Sequence, residues 1–278
     1  MSRKKPIVAI VYDFDKTLST DDMQNFSSIP NLDMKSDEFW EEANKLSDKA
    51  GMDRILCYML LMIRQCQEKG ISLTREYLNS LGKEVQFFNG VTTWFKRINK
   101  FADELGIKVE HYIVSSGTRE IIEGTDIAKE FKQVYACEFL YDKDGIACWP
   151  KFAVNYTVKT QYIFRISKGI LDPNDDVNLN SKSEKHRIPF RNIVYIGDGL
   201  TDVPCMLLVK ERGGKSIAIY PKGQKNKVEH LYRHGRVNYI CKGDYSQGSD
   251  IEKIIKLIIN QASITDLLLD KEVELAQE

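Results

Sequence analysis

The sequence predicts an α/β fold in which a parallel sheet is sandwiched by helices and a block of further helices is inserted after the first strand. Short, β-branched, nearly continuous apolar runs recur at residues 7–12, 112–114, 193–196 and 217–220. Runs of this kind mark strands buried on both faces, as in a parallel sheet. Each is followed by polar or glycine-rich residues and then by a helical pattern, the alternation of a doubly wound architecture. At 278 residues the chain is long enough for one such domain carrying a sizeable insertion.

The elements follow in order. Residues 1–5 are basic and lead into the first strand. The apolar stretch there is too short for a signal peptide, ends in Asp13, and is followed by no small-residue cleavage site. From about residue 22 to 88 the alternation breaks into helical patterns at 37–49, 53–68 and 74–81, punctuated by Gly51 and Gly70. Residues 55–63 are apolar almost all round, which predicts burial within a helical layer. The core resumes near Asn89 and Gly90, dividing the chain into a core of residues 1–19 and 89–278 and a helical insertion of residues 20–88. Residues 139–149 carry a turn signal at 141–145 between apolar flanks and predict a small hairpin. Residues 172–187 are polar and predict a surface loop. From Asp250 onward, Ile251, Ile254, Ile255, Ile258 and Ile259 recur at helical spacing and predict an amphipathic helix.

Composition narrows the function classes. Lysine plus arginine and aspartate plus glutamate each total 40, so the bulk basic excess of a nucleic-acid-binding chain is absent. No apolar run is long enough to span a bilayer. The six cysteines are scattered and form no C-x-x-C pair, which gives no support to a zinc or redox motif and fits a reducing cytoplasm.

The chemistry concentrates at strand ends, where ligands of open α/β sheets bind. Asp13 and Asp15 follow the first strand two residues apart, so strand alternation aims both at one side. Two close carboxylates require a cation or a shared proton. Gly197-Asp198-Gly199-Leu200-Thr201-Asp202 follows the strand at 193–196 and adds a second acidic pair. Hard carboxylate oxygens suit magnesium, and Gly197 and Gly199 are expected to let the backbone approach the site closely. Between them, Ser115-Ser116-Gly117-Thr118 is expected to follow the strand ending at Val114 and to precede a helical pattern at 119–122, a helix start where a hydroxyl and backbone N–H groups can cradle phosphate. Lys159, near the start of the helical pattern 158–166, is a candidate cation for a dianionic phosphate.

In that order these motifs resemble the haloacid dehalogenase-like superfamily of phosphohydrolases: D-x-D-x-T at 13–17, the apolar run ending at Ser115, Lys159, and G-D-G-x-T-D at 197–202. The helices after the first motif resemble the cap of its phosphoserine-phosphatase-like branch. The resemblance implies a three-layer Rossmann-like core with an inserted cap. It also implies magnesium-dependent hydrolysis of a small phosphate monoester. Asp13 would be the nucleophile, forming an aspartyl phosphate, and Asp15 the general acid and base. Thr17 would support the loop, while Ser115 and Lys159 hold the phosphoryl group. Asp13, Asp198 and the main-chain carbonyl of Asp15 would bind the metal, with Asp202 behind them holding Lys159 or the metal's waters. Ser116 competes with Ser115, and Ser116-Gly117 would then fill the small positions after the serine. Lys151 and Lys168 compete with Lys159; Lys168-Gly169 reads as a helix end. Phosphoserine phosphatases carry a glutamate soon after the first motif, whereas this chain has Ser19-Thr20-Asp21-Asp22; Asp21 or Asp22 is an alternative for that role, but a solvated linker is the expectation. The expected partner is therefore a small phosphorylated metabolite, with no nucleic acid and no membrane. Transfer to another acceptor, phosphonate hydrolysis, and a non-catalytic binding protein with the same fold are the rival readings.

Overall fold

The computed structural model describes residues 5–179 and 186–277. The expectations for the basic lead at 1–4 and for the middle of the polar stretch, 180–185, lie outside the described residues.

The buried apolar runs form a seven-stranded sheet of order β4-β3-β2-β1-β5-β6-β7. β1 (Ile7–Tyr12) is central, between β2 (Lys108–Thr118) and β5 (Ile193–Gly197), and parallel to both. β3 (Phe131–Tyr141) pairs with β2, and β6 (Lys215–Tyr220) and β7 (Tyr239–Lys242) extend the other side, all parallel. β4 (Ala147–Phe152) is the one antiparallel strand among those described and forms the expected hairpin with the end of β3. Val8 to Tyr12 and Ile193 to Ile196 are fully buried, as strands covered by helices on both faces must be.

Among the described residues the helices are α1 (Met23–Phe26), α2 (Ser36–Ala50), α3 (Arg54–Glu68), α4 (Arg75–Leu81), α5 (Val91–Glu104), α6 (Arg119–Glu123), α7 (Tyr156–Lys168), α8 (Asp176–Leu179), α9 (Val203–Glu211), α10 (Asn226–Arg233) and α11 (Asp250–Leu275). Their ends follow the expected local chemistry. Asp53 caps α3 by accepting from the N–H groups of Ile55 and Leu56, Thr74 caps α4 through Tyr77 N–H, and Asn155 caps α7 through Val158 N–H. Gly169, at φ 78°, ends α7 in the left-handed region. None of the described helices is long and apolar enough to cross a membrane.

Two expectations are corrected. β2 runs through Thr118, four residues past the strand end expected at Val114, and the helix expected at 119–122 follows it directly as α6, five residues long. The polar stretch after Asp172 is not loop throughout, since α8 lies within it.

The inserted helices leave and rejoin the core side by side. Phe88 N–H donates to Leu18 O at 2.9 Å and Thr20 N–H to Gln86 O at 2.9 Å. They are also fastened elsewhere. α4 meets α6 so closely that a Cβ on Gly82 would strike the backbone of Ile121 and Gly124. The start of α3 is tied to the start of α7, where Asn155 Nδ2 donates to Asp53 Oδ2 at 3.1 Å.

Candidate active site

The carboxyl ends of β1, β2 and β5 lie together, and the sequence motifs leave from them. Asp13 N–H donates to Ile196 O at 2.8 Å, so the loops beginning at Asp13 and at Gly197 start from adjacent strand ends. The first loop turns tightly: Leu18 and Ser19 both donate N–H bonds to the carbonyl of buried Phe14. The turn puts Lys16 at φ 54°, a conformation that costs a residue with a Cβ of order 1 kcal/mol or more. Its ammonium is held by Asp22 at 2.5 Å and Asp21 at 3.6 Å. Asp22 is thus not the solvated linker residue expected; it pairs with Lys16 on the wall of a cavity.

Lys159, from the first turn of α7, is 1% exposed and bridges Asp13 Oδ1 at 2.9 Å and Asp202 Oδ1 at 2.8 Å. Lys151 and Lys168 are elsewhere, on Glu138 and on the carbonyl of Leu179. Asp202 is fully buried. Its Oδ1 also accepts from the Tyr195 hydroxyl at 2.6 Å, and its Oδ2 from Asp198 N–H at 3.2 Å. Gly197 is required for this approach, because a Cβ there would lie 2.5 Å from Asp202 Oδ2. The same expectation for Gly199 is not met: a Cβ there would enter open space.

Asp15 sits beside this cluster. Its Oδ1 accepts from Met23 N–H at 2.7 Å, at the start of α1. A Cβ on Gly117 would lie 2.8 Å from Asp15 Oδ2 and would also strike Met23, so the glycine at the end of β2 makes room for the second aspartate. Ser115 is fully buried, its Oγ accepting from Gly117 N–H at 3.0 Å. Ser116 is the serine on the cavity wall, and its hydroxyl donates to Val154 O at 2.6 Å. Thr17 lies behind the site, fully buried, its Oγ1 without a partner and its carbonyl accepting from Tyr245 OH at 2.9 Å.

Burial sets the electrostatics. Loss of solvent, then the charge of Asp202, pushes the Asp13 carboxyl up to about 7 against the opposing pull of Lys159. Asp15 is driven well above the usual carboxylate range by burial and by Asp22 and Asp13. Asp198 moves the same way through burial, Asp202 and Asp13. Burial opposes the charge on Lys159, but its two carboxylate partners outweigh that and hold it protonated. Carboxylate oxygens of Asp13, Asp198 and Asp202 lie within 4.8 Å of one another. Lys159 supplies one positive charge against three carboxylates, so a hard divalent cation fits this donor set. Asp15's carboxylate is outside the cluster. Asp13, Asp15, Lys16, Ser116, Lys159 and Asp198 open into one cavity of about 310 Å³. Gln24, Trp40, Ile55 and Tyr58 of the inserted helices complete its wall.

The model of the haloacid dehalogenase-like hydrolases matches residues 10–207, the stretch from β1 through the Gly197–Asp202 loop into α9. The chain belongs to the haloacid dehalogenase-like hydrolase family. An uncharacterized protein of Borreliella burgdorferi is 29% identical over 280 residues, spanning 90% of this chain and 96% of its own. Among solved haloacid dehalogenase-like folds, a substrate-bound phosphoserine phosphatase aligns with a TM-score of 0.57 at 15% identity, over 92% of this chain and 99% of that one. A phosphoserine phosphohydrolase-like protein from Francisella tularensis aligns at 0.52 with 18% identity, over 84% and 94%. A family hydrolase from Salmonella enterica serovar Typhi aligns at 0.56 with 14% identity; it covers 84% of this chain, which spans 66% of it. At these identities the likeness is one of fold, shared with the phosphoserine-phosphatase-like branch.

Some residues at this hydrolase site carry no sequence signal strong enough to single them out. Tyr195 reads as one more core residue of β5, although a phenol two residues before Gly197, on the same face, is a polar handle that needs a buried partner. Tyr58 and Ile55 read as helix packing. Trp40 and Gln24 lie in helices whose approach to the site depends on how the insertion folds back.

Proposed function

We propose that this hydrolase is a magnesium-dependent phosphatase acting on a small phosphate monoester through an aspartyl phosphate on Asp13. The observation that carries the proposal is the Asp13–Lys159–Asp202 bridge, whose Asp13 and Lys159 line the cavity together with Asp15. A buried lysine on the nucleophile's carboxylate provides fixed positive charge where a phosphoryl group must dock.

In the first half-reaction a carboxylate oxygen of Asp13 forms a bond to phosphorus as the bond to the alcohol oxygen breaks. Asp15, whose surroundings favour its protonated form, gives its proton to that oxygen, and the alcohol leaves. In the second, Asp15 as carboxylate takes a proton from water. The water oxygen bonds to phosphorus, the acyl-phosphate bond breaks, and Asp13 and inorganic phosphate are released. Lys159 holds a phosphoryl oxygen and Asp202 holds Lys159, itself oriented by Tyr195. A magnesium ion held by Asp13 and Asp198 would neutralise carboxylate and phosphate charge in the same place. Residues 20–88 would serve as the cap. Their wall residues and the cavity of about 310 Å³ favour a small substrate and help keep bulk water from the reacting atoms.

The direct test is to acid-quench turnover of a phosphorus-labelled monoester and map the label. Label on Asp13, lost in Asp13→Asn, is the expected result. Turnover with no acid-stable, hydroxylamine-sensitive label would count against covalent catalysis.

A further inference from the structure

The cavity has two chemically different halves. Its floor is the charged cluster described above. The inserted helices contribute Gln24, Trp40, Ile55 and Tyr58 to its wall, and the Lys16–Asp22 pair lines it as well. No arginine or histidine lines the cavity among the described residues. Its two lysines are both engaged, Lys159 by Asp13 and Asp202 and Lys16 by Asp22 and Asp21. Asp22, the carboxylate on the inserted helices' side of the cavity, is paired with Lys16.

The aromatic residues have their polar ends occupied. Trp40 Nε1 donates to Asn25 Oδ1 at 3.1 Å, and Tyr58 OH donates to Ser116 O at 2.8 Å. What remains to face a ligand is ring and hydrocarbon. The two rings meet edge to face, with centroids 5.7 Å apart, a packed arrangement rather than a pair of loose side chains. The wall is also braced: Asp53, which caps the helix carrying Ile55 and Tyr58, is bonded to Asn155, which caps the helix carrying Lys159. Apolar wall and phosphoryl floor are therefore held at a set spacing.

From this division we infer that the substrate is the phosphate monoester of a neutral, ring-bearing alcohol, aromatic or heteroaromatic, whose ring lies against Trp40, Ile55 and Tyr58. The inference rests on the phosphatase reading above. A leaving group bearing a carboxylate finds no uncommitted cation on this wall, and one bearing an ammonium finds only a carboxylate already paired. Placing either charge there means desolvating it without a partner, which is costly. A ring loses no such hydration and gains contact with the aromatic wall, while the neutral amide of Gln24 can serve a heteroatom on its edge. Phosphoserine is disfavoured for the same reason, since its amine and carboxylate both need partners.

The test compares kcat/KM for four compounds with magnesium present: acetyl phosphate, benzyl phosphate, O-phosphoserine and 3-phosphoglycerate. Benzyl phosphate should exceed the two charged monoesters by at least about tenfold, because unpaired buried charge is penalised more than a lost apolar contact. Trp40→Ala should lower the ratio of benzyl phosphate to 3-phosphoglycerate. Ile55→Arg, which puts a cation on the wall, should lower it further by improving the acid. The wild-type comparison depends on no variant's folding. Equal or better turnover of phosphoserine or 3-phosphoglycerate overturns the inference while leaving the chemistry of Asp13 and Asp15 standing. Failure to turn over acetyl phosphate and every monoester removes the phosphatase reading and this inference together.

Discussion

Replacing Asp13 by asparagine should abolish turnover and, in a chelator at neutral or alkaline pH, make the protein more stable. Asp13 is 5% exposed, and its carboxyl is pushed from 3.8 up to about 7 by burial first and by Asp202 second, with the attraction of Lys159 already included. An acid weakened on folding favours the protonated form in the folded state, so its ionisation opposes folding. Below about pH 4 folded and unfolded chains are both protonated and the effect vanishes; it grows as pH rises and is complete above about pH 7. At about 1.4 kcal/mol per tenfold change in the ionisation constant, the full cost is about 4 kcal/mol, an upper limit because the site can relax. Asparagine keeps an oxygen for Lys159 and carries no charge. Urea denaturation of both proteins in chelator should therefore give nearly equal stabilities at pH 4 and a growing advantage for Asp13→Asn towards pH 8. Saturating magnesium should narrow that gap, since a ligand at a hundred times its Kd adds about 2.7 kcal/mol to the protein that binds it and less to one missing a ligand oxygen. The reasoning is refuted if the variant is the less stable protein at pH 8 in chelator, or if it keeps more than about a hundredth of wild-type kcat/KM.

Three further outcomes are expected. Exhaustive chelation should abolish activity, magnesium should restore it and calcium should restore it poorly, because calcium takes more and longer bonds than a compact octahedral site provides; full activity in chelator contradicts this. Tyr195→Phe deletes a buried hydrogen bond to Asp202 and should cost about 1.5–3 kcal/mol of stability in the metal-free protein, with kcat falling more than KM rises; an unchanged melting temperature and kcat would show that Asp202 holds Lys159 without it. Small phosphorylated metabolites should be turned over and folded phosphoproteins ignored, given a cavity of about 310 Å³ bounded by the inserted helices; efficient phosphoprotein dephosphorylation would reassign those helices from a cap to a docking surface.

Much of this molecule is local, and local features are legible in sequence. The strand β1 and the helices α2, α3 and α4 come within a residue or so of their expected bounds, because burial on both faces and N-caps such as Asp53 and Thr74 are written in consecutive residues. Beyond the hairpin, the sequence pattern predicts neither β3 nor β7. Phe131–Tyr141 mixes apolar with charged and polar residues, and Tyr239–Lys242 is only four residues long, so neither shows the unbroken run that marked β1. Asp13, Asp15, Asp198 and Asp202 stand out as acidic pairs after buried strands, whereas Lys159 is singled out only by the resemblance of the motif order to the haloacid dehalogenase-like family. Which serine would face the cavity is not legible there, since Ser115 and Ser116 are adjacent and the answer depends on how the end of β2 is turned.

What the sequence determines by itself is the chemistry available at each strand end: acidic residues after β1 and β5, small residues at the end of β2 before α6, and a lysine in the first turn of a capped helix. These are properties of neighbours along the chain. The tertiary structure alone decides that Lys159 meets Asp13 and Asp202, 146 and 43 residues away, that Tyr195 secures Asp202, and that Trp40, Ile55 and Tyr58 close the cavity. Those contacts depend on the order of strands in the sheet and on the fastening of α3 and α4 to α7 and α6. No window of sequence encodes that geometry, because the surfaces that meet are far apart in the chain and become complementary only when the core packs.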